Sequence, residues 1–64
     1  MADFQIVNHG SIVVITPLSE AGEQWREEHI SADALSWGRG FVCEPRYVAD
    51  IVEGIESDGL EFAA

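Results

Sequence analysis

Lysine is absent from this 64-residue sequence, cysteine occurs once, and no apolar run exceeds four residues. Each absence removes a class of function. Without lysine, the only cations are Arg26, Arg39 and Arg46, set against twelve Asp and Glu for a net charge of −9. Three scattered arginines make no basic stripe to neutralise phosphates, so the sequence predicts no direct nucleic-acid binding. Attachment to an anionic membrane surface fails on the same ground. A lone Cys43 forms no internal disulfide. The longest apolar run, Ile12 to Ile15, is far too short to span a bilayer. Met1-Ala2-Asp3 lacks the basic and apolar regions of a signal peptide, and with one unpaired thiol the expected compartment is the cytoplasm.

The hydrophobic fraction is 47%, with two Trp, three Phe and one Tyr to fill a core, so a folded chain is expected. Residues 1–64 allow a single domain. At this size only about 60% of the unfolded surface is buried, and stability is marginal unless a disulfide, a metal or another subunit contributes. With no disulfide available, a homo-oligomer is the remaining device. The acidity suits solubility, and equally a protein partner with a basic surface.

Phe4 to Val7 reads as a strand, Asn8-His9-Gly10-Ser11 as a turn in which Gly10 can take positive φ, and Ile12 to Thr16 as a second strand. The second run is apolar and β-branched on both faces, as in an interior strand covered on both sides. Thr16-Pro17 predicts a helix start, with Ser19 as the alternative cap. Leu18, Ala21, Gly22, Trp25 and His29 recur on one face of that helix, and Glu20, Glu23, Gln24 and Glu27 on the other. Gly22 on the apolar stripe implies close approach of the helix to the sheet.

Ser31 to Trp37 reads as a loop with one helical turn, Gly38-Arg39-Gly40 as a flexible connector, and Phe41 to Glu44 as a short strand. Pro45 opens a second helix carrying Val48, Ile51, Val52 and Ile55 at core spacing, and Asp58-Gly59 stops it. Leu60 to Phe62 alternates like an edge strand. The expected class is α+β in the order β-β-α-β-α-β, with right-handed crossovers and a mixed sheet of three or four strands packed with two helices.

The residues that could carry chemistry do not assemble into a motif. His9, His29 and Cys43 are isolated and lack the spacing of a zinc site, so neither a metal nor a cofactor is expected. Cys43 lies in an apolar strand, where a small buried thiol is the simple reading. Gly38-Arg39-Gly40 lacks the further glycines and lysine of a phosphate-binding loop. The abundant carboxylates read as solvated surface, since acid-base work needs one of them desolvated in a cleft. No catalytic residue is assigned and the chain is expected not to be an enzyme; a site shared across a dimer and using Cys43 or His29 is the enzymatic alternative.

The candidates for partner binding are side chains of other kinds. Trp37 and Arg39 sit in a glycine-bounded stretch and belong to types favoured at binding hot spots, although Trp37 could equally pack over a sheet edge. Arg46 lies in the first turn of a helix, where the macrodipole disfavours a cation unless Asp50 offsets it. With Tyr47 it could serve a partner or form an internal ion pair. Glu20, Glu23 and Glu27 on one helix and Asp50 and Glu53 on the other would form one broad negative surface if both helices cover the same sheet face. Such a surface could imitate the phosphates of a duplex and block a nucleic-acid channel; the plain alternative is two wetted helix faces.

Gly10-Ser11-Ile12, Thr16-Pro17, Trp25, Glu28-His29, Trp37-Gly38, the run from Glu44 through Arg46-Tyr47 and Asp50-Ile51-Val52 to Gly54, and Asp58-Gly59-Leu60 together give the chain a recognisable cast. It resembles small uncharacterised acidic proteins of proteobacteria and their phages or mobile elements. The resemblance covers almost the whole chain and implies no particular activity. It fits an accessory role in a mobile element, including inhibition of host defence. The leading expectation is thus a non-enzymatic protein-interaction module that self-associates through a strand edge or an apolar sheet face. The alternative is a nucleic-acid mimic acting on a host defence or DNA-processing protein.

Overall fold

The computed structural model describes residues 2–30 and 34–63. Its elements run β1 (Phe4–Asn8), β2 (Val13–Pro17), α1 (Glu20–His29), β3 (Ser36–Trp37), β4 (Gly40–Cys43) and α2 (Pro45–Ser57). The class is α+β, with four strands in the order β1-β2-β4-β3 and antiparallel pairing throughout.

The hairpin loop between β1 and β2 forms where turn chemistry predicts it. Gly10 takes φ +92°, its N–H donates to Asn8 Oδ1 at 2.7 Å, and the His9 N–H donates to Ile12 O at 2.9 Å. The second strand starts at Val13 and runs on to Pro17, which pairs with Phe4. Pro17 therefore ends a strand and does not open a helix, a place where its missing N–H costs little. Ser19 is the cap of α1, accepting from the Gly22 N–H at 3.0 Å, and Thr16 belongs to the sheet.

The stretch before β4 also differs from expectation. Ser36–Trp37 is a strand, paired Ser36 to Phe41 and Trp37 to Gly40, while residues 31–33 of the expected helical turn lie outside the described residues. Gly38 takes φ +60° and Arg39 does not, the pattern of a type II′ turn, so Gly38-Arg39 is a tight hairpin and not a flexible connector. Because β4 runs antiparallel to β2, the connection through α1 is no parallel crossover and the handedness rule does not apply to it. The parallel element of the sheet is confined to one bridge between Phe4 and Phe62, all that forms of the expected last strand.

The second helix spans the predicted run and ends in a Schellman motif. Gly59 at φ +83° lets its N–H reach Glu56 O at 3.0 Å and the Leu60 N–H reach Ile55 O at 3.2 Å. Both helices cover one sheet face. Phe4, Val13, Ile15 and Phe41 from that face meet Trp25 and Ile55, with Ile6, Ile30, Cys43, Val48, Ile51, Leu60 and Phe62 packed around them. Trp25 meets Phe4 edge-on at 5.8 Å between centroids. Gly22 abuts the backbone carbonyl of Asp3, the close approach its place on the stripe implied.

Candidate functional site

Strand register decides which side chains share a face. Val7 pairs with Val14, Val14 with Val42, and the Val42 N–H donates to Leu35 O at 2.9 Å. Alternation puts all four on the sheet face that the helices leave uncovered, one aliphatic side chain from each successive chain segment. The neighbouring row on that face holds Gln5, Thr16, Gly40 and Trp37. Gly40 lies close under Val14 and Thr16, where an added Cβ would fall 3.1 Å from Val14 Cγ1 and 2.6 Å from Thr16 Oγ1.

None of these eight positions carries a charge, in a chain with twelve acids and three arginines. Leu35 is 70% exposed, Trp37 55% and Val7 40%, while Val14 at their centre is only 5% exposed. The helices lie on the opposite side, so the outer face's own side chains and backbone shield Val14. Trp37 is stacked on His9 of the first hairpin loop at 5.4 Å and 22°, which fixes the ring over the sheet without hiding it. The run Ile12 to Thr16, apolar and β-branched on both faces, implies cover on both sides of β2; Val13, Val14 and Ile15 are all buried, but only the Val13 and Ile15 side is covered by helices.

The other candidates fall into separate places. Glu20, Glu23 and Glu27 line one shallow concavity on α1, but Arg26 and Arg39 line it too. The Arg39 guanidinium lies 3.3 Å from Glu23 in an exposed ion pair. Arg26 is directed toward the sheet, its guanidinium 5.7 Å from the Phe41 ring and donating to Ser36 Oγ at 3.3 Å. Asp50 and Glu53 are exposed on α2, which covers the same sheet face as α1. Arg46 is offset by Glu44, at 2.7 Å, and not by Asp50; it also stacks over Tyr47, 4.9 Å from the ring centroid.

Cys43 and His29, the residues of the enzymatic alternative, lie on different elements, β4 and α1. Cys43 lies on the helix-covered face beside Val13, half-buried, and desolvation pushes its thiol pKa up, away from the nucleophilic thiolate. His29 stacks on Trp25 at 4.4 Å and 11°, with Nδ1 3.1 Å from Trp25 O and Nε2 3.7 Å from Asp58 Oδ2. Both of its ring nitrogens thus face acceptors. Among the described residues no group of three His, Cys, Asp or Glu side chains could hold a metal ion, and no helix is long and apolar enough to cross a membrane.

Val7, Val14, Leu35 and Val42 carry the outer face and were not singled out from sequence. The signal was present in Leu35-Ser36-Trp37, an apolar-polar-apolar alternation directly before a glycine turn. No family model, curated protein or solved structure matches the chain.

Proposed function

We propose that the protein is a non-enzymatic protein-interaction module that meets its partner through the uncharged outer face of the sheet. One observation carries this reading: the row Val7, Val14 and Val42 crosses three strands and continues onto Leu35 at the entry to β3, and Trp37 stands exposed beside it. A chain with this many carboxylates has ample means to wet a surface. A contiguous face from which they are missing, with an exposed tryptophan stacked on His9, has the composition of an interface centre. The raised thiol pKa of Cys43, and its place on β4 while His29 ends α1, support a binding role over a catalytic one.

The α1 concavity offers a basic partner less. Two arginines stand among its three glutamates, and one of them already pairs with Glu23. Its net field is weaker than the glutamates alone would give. The partner suited to the outer face is a protein with an apolar patch, and neither a nucleic acid nor an anionic membrane. The accessory role that the sequence resemblance implies, and the cytoplasm expected from the single thiol, fit this reading.

Affinity capture from the native host, with mass-spectrometric identification, tests the surface when it is run in parallel on two variants. The bound protein should be lost with Leu35→Glu and kept with Glu23→Gln/Glu27→Gln. The reverse pattern would reject the sheet face and favour the acidic helix.

A further inference from the structure

Resting on that reading, we infer that the occupant of the outer face is a second copy of this chain, packed sheet against sheet with both pairs of helices turned outward. Charge placement argues for it first. Each copy carries −9, and the helical carboxylates lie on the far side of the sheet from the uncharged face. Stacked sheets lie about 10 Å apart, and a helix layer adds roughly as much on each side, so the two helix layers stand about 30 Å apart. That exceeds the screening length of about 10 Å at 0.1 M salt, so mutual repulsion is largely damped. Contact through the helices would instead press like charges together.

The shape of the row argues for it second. A twofold axis running along the strands between β2 and β4 lays β1 of one copy over β3 of its partner. The protruding Leu35 then lies over the smaller Val7, and the central Val14 and Val42 face their own kind. The patch is self-complementary in size, and no charge is buried by the strand positions that meet.

The area sets the strength. Strands of five, five, four and two residues, at about 4.8 Å between strands and about 3.3 Å per residue, give a projected face of roughly 250 Å². A standard interface buries about 800 Å² of accessible surface on each partner, so this dimer is weak and reversible. It covers Leu35 and Trp37, the two most exposed large apolar side chains of the face.

Sedimentation velocity from about 20 μM to about 1 mM protein, at about 0.05 M and about 0.5 M salt, tests the assignment. Dimer should grow with concentration and should not weaken with salt, because the like charges stand beyond the screening length and no ion pair joins the copies. Acrylamide quenching should fall in parallel, since Trp25 is buried and the quencher reports on Trp37. Leu35→Glu and Val7→Glu change exposed positions and should remain folded, by circular dichroism, and monomeric. A monomer at the highest concentration and salt with unchanged quenching overturns the second copy, as does a dimer that Leu35→Glu leaves intact or one that salt weakens. If the chain is monomeric but Leu35→Glu still abolishes capture of a host protein, the outer face is the working surface for a different occupant. If that variant changes neither, the interaction-face reading fails as well.

Discussion

The indole N–H of Trp25 donates to the carboxylate of Asp58 at 2.7 Å, joining α1 to the residue that caps α2. Trp25 is the main aromatic of the helix layer, in contact with Phe4 and stacked on His29. Its N–H needs a partner when the ring is buried, and Asp58 supplies a charged one. Asp58→Ala leaves that donor unsatisfied and should cost about 1–2 kcal/mol, at the modest end for a charged acceptor because the carboxylate is half-exposed. Urea unfolding followed by circular dichroism measures it. Asp58→Asn, which keeps an acceptor oxygen, should recover part of the loss.

Asp3 binds the start of β1 to two distant segments. The Ser19 hydroxyl and the Glu61 N–H donate to its two carboxylate oxygens, while the Leu18 N–H donates to its backbone carbonyl. The Ser19 hydrogen bond first, then the Glu61 N–H, holds its pKa below the ordinary aspartate value. A depressed folded pKa means the unfolded chain binds the proton more readily. The Asp3 contribution is therefore complete above the unfolded aspartate pKa and fades as pH falls through the lower folded value. Wild type should lose stability across this acidic window more steeply than Asp3→Asn. Equal slopes in a pH series of thermal melts would reject the assignment.

Burial raises the Cys43 pKa, so at mildly alkaline pH its thiolate fraction is below that of an unhindered cysteine. Alkylation by iodoacetamide should be slower than for glutathione at the same pH and should speed up under denaturant. Reaction as fast as the free thiol would reopen a nucleophilic role for this residue.

The helices were legible because their signals are local. The spacing of Val48, Ile51, Val52 and Ile55, with Pro45 and Gly59 at the two ends, fixes α2 without reference to the rest of the chain. The sheet was harder to read, because pairing depends on partners far away. Thr16-Pro17 has the form of a helix start, and only the pairing of Pro17 with Phe4 draws it into β2. Ser36-Trp37 is too short to declare itself and becomes a strand through Phe41 and Gly40. The same limit hid the outer face. Val7, Val14, Val42 and Leu35 are four ordinary aliphatics in sequence, and become one row only once the register of three strand pairs is known. Trp37 and Arg39 were singled out by residue type; the register places them differently, Trp37 on the open face and Arg39 in the turn beside Glu23.

Two helical glycines should respond to alanine with opposite signs. Each gains about 1 kcal/mol of helix propensity from the change, so the outcome depends on the room for a methyl group. At Gly54 the new Cβ would sit 3.5 Å from Trp25 Cζ2, ordinary van der Waals contact, and Gly54→Ala should stabilise the protein by up to about 1 kcal/mol. At Gly22 the Cβ would be driven into the Asp3 carbonyl, with Pro17 Cβ 3.4 Å away on another side. That carbonyl is backbone held by the Leu18 N–H at 2.7 Å and has no rotamer to yield. Relief requires α1 to shift off the sheet, at a cost of about 1–3 kcal/mol that outweighs the propensity gain. Gly22→Ala should therefore lower the urea midpoint while Gly54→Ala raises it. A stabilised Gly22→Ala protein would mean that α1 does not pack on the β1 entry as closely as Gly22 and Asp3 require.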